Sequence, residues 1–236
     1  MAAVDDINEL LALTRAVDLF AAIEQISLQP DPEHAAALFG QLAKRLHSIE
    51  KSVSEAVAIR RAGIQFCLCY TADATKRQTL RHQAKVLAFN LGADTWPGWG
   101  DEGIVIGVSD LDAGFDAARL NLRLARELEK GPLAESRGYW LVGAHRLARA
   151  EDDAALAEFS RARERARDAG NGNSELLNVG YAALIRTLGG EADAHTEFSS
   201  VIERFRNTPG EDPPFFAEQL EKALAIFRAL REGAAP

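Results

Sequence analysis

The side chains with the most chemistry to offer in this chain are two thiols, five imidazoles, one group of carboxylates and a pair of indoles. Cys67 and Cys69, in QFCLCY, are the only cysteines. On a helix they would point roughly 200° apart. A structural zinc site needs about four ligands at characteristic spacings, which are absent, so buried free thiols and a reducing compartment are expected. His34, His47, His82, His145 and His195 are scattered over four expected helices, with no HExxH spacing. Asp94, Asp101, Glu102, Asp110 and Asp112 crowd one segment but lack the one, three, five pattern with a terminal Glu that a calcium loop requires. They read as helix caps and loop charge. Without a nucleophile beside a base or a glycine-rich phosphate loop, the chain is expected to be no enzyme and to use no cofactor or metal.

What remains is binding chemistry. Trp96 and Trp99 stand in TWPGWG, where Pro97, Gly98 and Gly100 oppose an ordinary helix. Two readings stay open. The segment either folds back as a lid that buries the rings on adjacent helices, or presents them to a partner.

The composition suits one sizeable domain without disulfide or metal support: 47% of the 236 residues are hydrophobic and 26% charged. A formal charge of -8, from 27 basic and 35 acidic residues, opposes binding to a phosphate backbone, so no nucleic-acid partner is expected. No apolar run approaches the roughly 18 residues that cross a bilayer, and no membrane partner is expected either. The opening MAAVDDINELLALTRAVDLF has early acids and helical apolar spacing, and predicts a mature N-terminus in the cytoplasm.

The elements that must position these residues read as helices. Apolar residues recur at three and four almost throughout, predicting an all-α fold of ten helices over 4–27, 32–48, 51–71, 75–93, 103–129, 133–149, 152–169, 174–188, 191–206 and 213–231. Pro30, Pro32, Gly131, Pro132, AGNGNS at 169–174 and NTPGEDPP at 207–214 separate them. GIVIGVSD at 103–110 is ambiguous. Ile104, Val108, Leu111, Phe115, Ala118, Leu122 and Ala125 keep one helical stripe, which favours a long helix; a shorter one would be capped by Ser109. In RARERARD at 161–168, the arginines sit three or four residues from Glu158, Glu164 and Asp168, as on a solvated face with ion pairs.

A small and large pattern repeats. Gly143 is followed by Ala155, Phe159 and Ala162, and the set returns 39 residues on as Ala182, Ala194, Phe198 and Val201. Gly180, two residues before Ala182, is the other candidate for the close contact. Ala118, Leu122 and Ala125 form the preceding copy, 37 residues earlier. Small residues would let helices approach where they face one another, with an aromatic filling the wedge. In the first half only Ala36, Gly40 and Ala43 hint at such a series.

This pattern resembles the tetratricopeptide repeat, over Ser136–Arg167 most closely and Glu175–Arg206 less so, with spacings longer than that family's 34 or so residues. The resemblance implies a right-handed superhelix of antiparallel helices in one domain: degenerate helices over 1–74, repeat pairs over 75–206 and a capping helix at 213–231. It also implies a concave face that binds a protein or peptide, lined by Arg137, Trp140, Ala144, Leu147 and Ala148. The family's carboxylate-clamp positions are held here by Phe89, Ala93, Trp140 and Ala144, which cannot donate to a carboxylate. Trp96 and Trp99 join the expected partner site. Trp140 reads equally as interhelix core. The remaining readings are a small-molecule-binding or enzymatic pocket closed by tryptophans, and a homodimer paired through the open edge of a solenoid.

Overall fold

Asp18, Asp31, Asp73 and Asn171 each accept a hydrogen bond from a backbone N–H of the helix that follows, fixing where four helices begin. The computed structural model describes residues 7–233, which contain eleven α-helices and no strand. They are α1 (Ile7–Ala16), α2 (Leu19–Ser27), α3 (Pro32–Ser48), α4 (Val53–Cys69), α5 (Ala74–Asp94), α6 (Val108–Glu127), α7 (Pro132–Ala148), α8 (Asp152–Asp168), α9 (Gly172–Leu188), α10 (Ala194–Arg206) and α11 (Asp212–Arg231). A 3-10 turn, Pro97–Trp99, separates α5 from α6.

Two departures from the expected helices have local causes. The helix expected over 4–27 is two: Asp18 Oδ1 takes the N–H of Ala21 at 2.8 Å, which starts α2 afresh. Residues 4–6 of that expectation lie outside the described residues. The helix expected from 103 begins at Val108. Gly103 has φ of 74°, outside the helical range, and Asp110 Oδ2 accepts the Gly107 N–H at 3.1 Å. Asp110, in the first turn, does the capping, and Ser109 lies within the helix.

The chain divides into two compact units. One spans Met1–Thr95 and Gly103–Leu124, the other Trp96–Glu102 and Ala125–Pro236. In the first, α3 packs on α4, α4 on α5 and α3 on α5, with α1 and α2 laid against α3. Leu10, Ile26, Leu38, Phe39, Leu42 and Ile59 are among its buried core residues. A close approach is at Gly63, where a Cβ would stand 2.7 Å from Phe39 Cβ on α3 and 3.1 Å from Leu87 Cδ1 on α5. Ala36 and Ala43 of the series expected in this half are buried.

In the second unit each helix from α7 to α11 packs on the next, and α7–α9 and α9–α11 also touch. The turns are alike. Glu129, Ala150, Gly170 and Gly190 all have φ between 50° and 73°. At each, the N–H bonds the carbonyl three residues back and the following N–H bonds the one five back: Ala150 to Leu147 with Glu151 to Arg146, Gly170 to Arg167 with Asn171 to Ala166. These paired bonds are the Schellman closure of a helix C-terminus. Its return at intervals of 20 or 21 residues gives helices of matched length.

The contact code inside this unit differs from the expected small-on-small pairing. A Cβ on Gly143 would lie 3.1 to 3.2 Å from the Phe159 ring, so the glycine faces an aromatic. In the next pair Gly180 holds the close contact, against Val201 and Leu220, while Ala182 is half-exposed.

Candidate functional site

Pro97 opens the 3-10 turn, and Gly100 closes it in the left-handed conformation with its N–H on the Pro97 carbonyl at 3.1 Å. Gly98 has no alternative, because a Cβ there would fall inside the Trp96 indole that folds back over it. A Cβ at Gly100 would meet Ile226 Cδ1 of α11 at 2.7 Å. The glycines that keep this segment from being a helix are what allow it to press so closely on its own indole and on α11.

Trp96 is wholly buried, and its indole N–H donates to the Ala144 carbonyl of α7 at 3.0 Å. Around it stand rings from α7, α9 and α11. Trp140 is 5.7 Å away at 72°, Tyr181 6.0 Å at 65° and Phe227 6.0 Å at 42°. Trp99 approaches edge-on at 5.0 Å. Tyr181 also stacks on Phe159, at 4.9 Å and 12°. Such offset and edge-on pairs add to the energy of burial itself. Gln219 Nε2 donates to the Tyr181 hydroxyl at 2.6 Å, and burial pushes that phenol above its ordinary range.

Of the six residues expected to meet a partner, the structure gathers Trp96, Trp99, Trp140 and Ala144 into this cluster. Trp96, Trp140, Ala144 and Leu147 are buried, Trp99 is half-buried and Arg137 is exposed. Buried side chains on α7 therefore serve the interior of the unit, and the chain's own WPGW segment packs on α7 and α11. Of the two readings of that segment, the lid describes Trp96. Tyr181, Phe227 and Phe215 belong to the same cluster and had no signal of it in the sequence. Phe215 lies at the surface, 53% exposed, and stacks on Trp99 at 6.4 Å and 28°.

The acidic residues near the segment do separate things. Asp94 pairs with the buried Arg60, and its carbonyl lies 3.0 Å from His47 Nε2. Asp110 takes Ser54 Oγ at 3.2 Å besides capping α6. Among the described residues no three of His, Cys, Asp and Glu are placed to hold a metal ion. The α8 arginines are in ion pairs: Arg161 with Glu158, Arg163 and Arg167 with Glu175, Arg165 with Asp168 and Glu135. No described helix is long and apolar enough to cross a membrane. No family model matches the chain, and no curated protein aligns with it significantly.

Proposed function

We propose that this chain is a non-enzymatic interaction module whose second unit is a tetratricopeptide-like stack of helix pairs, and that it recognises a protein or peptide through the surface edge of the aromatic cluster. The observation that carries the reading is the Trp99–Phe215 stack, half-buried on one side and 53% exposed on the other. Exposed aromatics cost solubility, and interface energy concentrates in rigid aromatic and arginine anchors ringed by near-neutral contacts. Trp96 acts here as the fixed post that holds Trp99 in place, and the exposed Arg137 adds a charged anchor from α7. The repeated Schellman turns and the sequential packing of α7 to α11 support the helical-repeat reading. Two free thiols fit a reducing compartment, which we take to be the cytoplasm.

The test is a photo-crosslinking residue in place of Phe215, used in native extract, beside the Trp99→Ala/Phe215→Ala double variant as a folded control. A discrete crosslinked partner whose capture the double variant loses, at unchanged circular dichroism, supports the proposal. Undiminished capture by the double variant removes it.

A further inference from the structure

Gly103–Gly107 reads GIVIG, identical in both directions about Val105, and carries no charge. The structure gives it no regular secondary structure. Ile104 and Ile106 are half-buried while Val105 between them is 78% exposed, the two-residue alternation of an extended chain. Within the described residues, neither the N–H nor the C=O of Ile104, Val105 or Ile106 takes part in a hydrogen bond with another part of the chain. β-Branched residues with an open backbone form the sort of edge that another strand completes, and such edges are normally blunted by charge or proline. This one has neither.

We propose that residues 104–106, at the centre of this palindrome, are a self-complementary pairing edge that joins two copies of this chain. Antiparallel pairing of two copies about a two-fold axis sets Val105 opposite Val105 and Ile104 of each copy opposite Ile106 of the other, so every cross-strand pair is β-branched on β-branched and uncharged. No ion pair is made or broken within the ribbon, so the surplus of negative charge acts only at longer range and salt strengthens the association. The open stretch, residues 104–106 between Gly103 at φ of 74° and the Gly107 N–H held by Asp110, is short, and two strands alone are marginal. The dimer therefore forms on the order of tens to hundreds of micromolar, at the weak end of specific interfaces.

The full chain in a Cys69→Ser background tests this by sedimentation and by oxidative crosslinking. Association is expected to rise with concentration. Val105→Asp, which sets like charges directly opposite, weakens it by about tenfold or more. Val105→Thr retains it, and an equimolar mixture of Val105→Asp and Val105→Lys restores it. Val105→Cys crosslinks to itself readily, whereas Val108→Cys, which is 80% exposed in the wild type but about 20 Å from its counterpart in this register, does not. Circular dichroism of each variant reports whether it is folded, and Val105→Thr covers a failure of the charged forms. A monomer at all concentrations, a dimer indifferent to Val105→Asp, or equal crosslinking at 105 and 108 overturns the proposal.

Discussion

Trp96 and Ala144, 48 residues apart in sequence, are joined by a hydrogen bond from the indole N–H to the helix carbonyl at 3.0 Å. The indole is the hub on which four other rings converge, so its removal leaves both a cavity and unsupported neighbours. Trp96→Ala is expected to destabilise the protein by about 3 to 5 kcal/mol, and Trp96→Phe, which keeps part of the ring volume, by roughly half of that. Trp99→Ala, at a half-buried position, should cost less than Trp96→Phe. Urea denaturation followed by circular dichroism measures the order, and a Trp99 cost equal to that of Trp96 would show that the hub is misassigned.

Ala150 holds the left-handed position that Gly170 and Gly190 hold in the next two turns, with φ of 57°. A Cβ in that conformation costs about 1 to 2 kcal/mol, part of which glycine returns through its larger unfolded-state entropy. Ala150→Gly should therefore raise stability by about 0.5 to 1 kcal/mol, while Gly170→Ala lowers it by a similar amount. Thermal melts of the two variants read opposite shifts in Tm.

Gly180→Ala puts a methyl group 2.5 Å from Leu220 Cδ1 and 3.1 Å from Val201 Cγ1. The gain in helix propensity, about 1 kcal/mol, does not offset the displacement of two packed side chains, and a net loss of about 1 to 2 kcal/mol is expected. Gly143→Ala has the Phe159 ring as its nearest contact, at 3.1 Å, and should cost less. Ala182→Gly, at a half-exposed site, should lose no more than the propensity. The ranking from chemical denaturation reads which residue holds the close contact, and equal effects at 180 and 182 would mean that Gly180 does not.

Helix positions were legible because periodicity and capping are local: the bounds of α3 coincide with the expected 32–48, and the other starts and stops shift by a few residues at most where no cap intervenes. Asp18 was missed because one side-chain bond to Ala21 interrupts a stripe that continues in phase on either side. The stripe through Ile104 and Val108 likewise stayed in phase while Gly103 and the Asp110 cap set the start of α6. The aromatic cluster was legible only in part. Trp96 and Trp140 stood out by type, but Phe227 lies 131 residues from Trp96, and nothing in spacing along a chain reports a contact of that range. Gly63 beside Phe39 escaped for the same reason.

Arg60 is almost wholly buried and is matched by the Asp94 carboxylate, with His47 Nδ1 4.0 Å from the same oxygen. Burial lowers the Arg60 pKa and the Asp94 charge opposes that shift. Removing the carboxylate leaves a buried cation unpaired, so Asp94→Ala should cost about 3 to 5 kcal/mol. Arg60→Met replaces the guanidinium by an apolar chain and leaves a carboxylate that reaches solvent, at a smaller cost. In Arg60→Met/Asp94→Ala much of the loss is recovered, and a double-mutant cycle reads the difference. Additive single effects would mean the pair is not coupled.

Cys67 and Cys69 lie two positions apart at the end of α4 and differ in burial: the first is buried and the second is exposed. Desolvation raises the Cys67 thiol from 9.0 to about 12, and the thiolate is the reactive form. A chromogenic disulfide reagent at neutral pH should therefore titrate one thiol rapidly, lost in Cys69→Ser, and reach the other only on unfolding. The same shift carries a pH signature. A folded pKa above the unfolded one stabilises fully below about pH 9 and loses that contribution as pH rises toward 12, because the unfolded chain releases the proton first. The raised Tyr181 phenol acts with the same sign. Stability measured by urea titration should fall across that alkaline window, less steeply in Cys67→Ala, and an unchanged slope in that variant would mean the thiol is not desolvated.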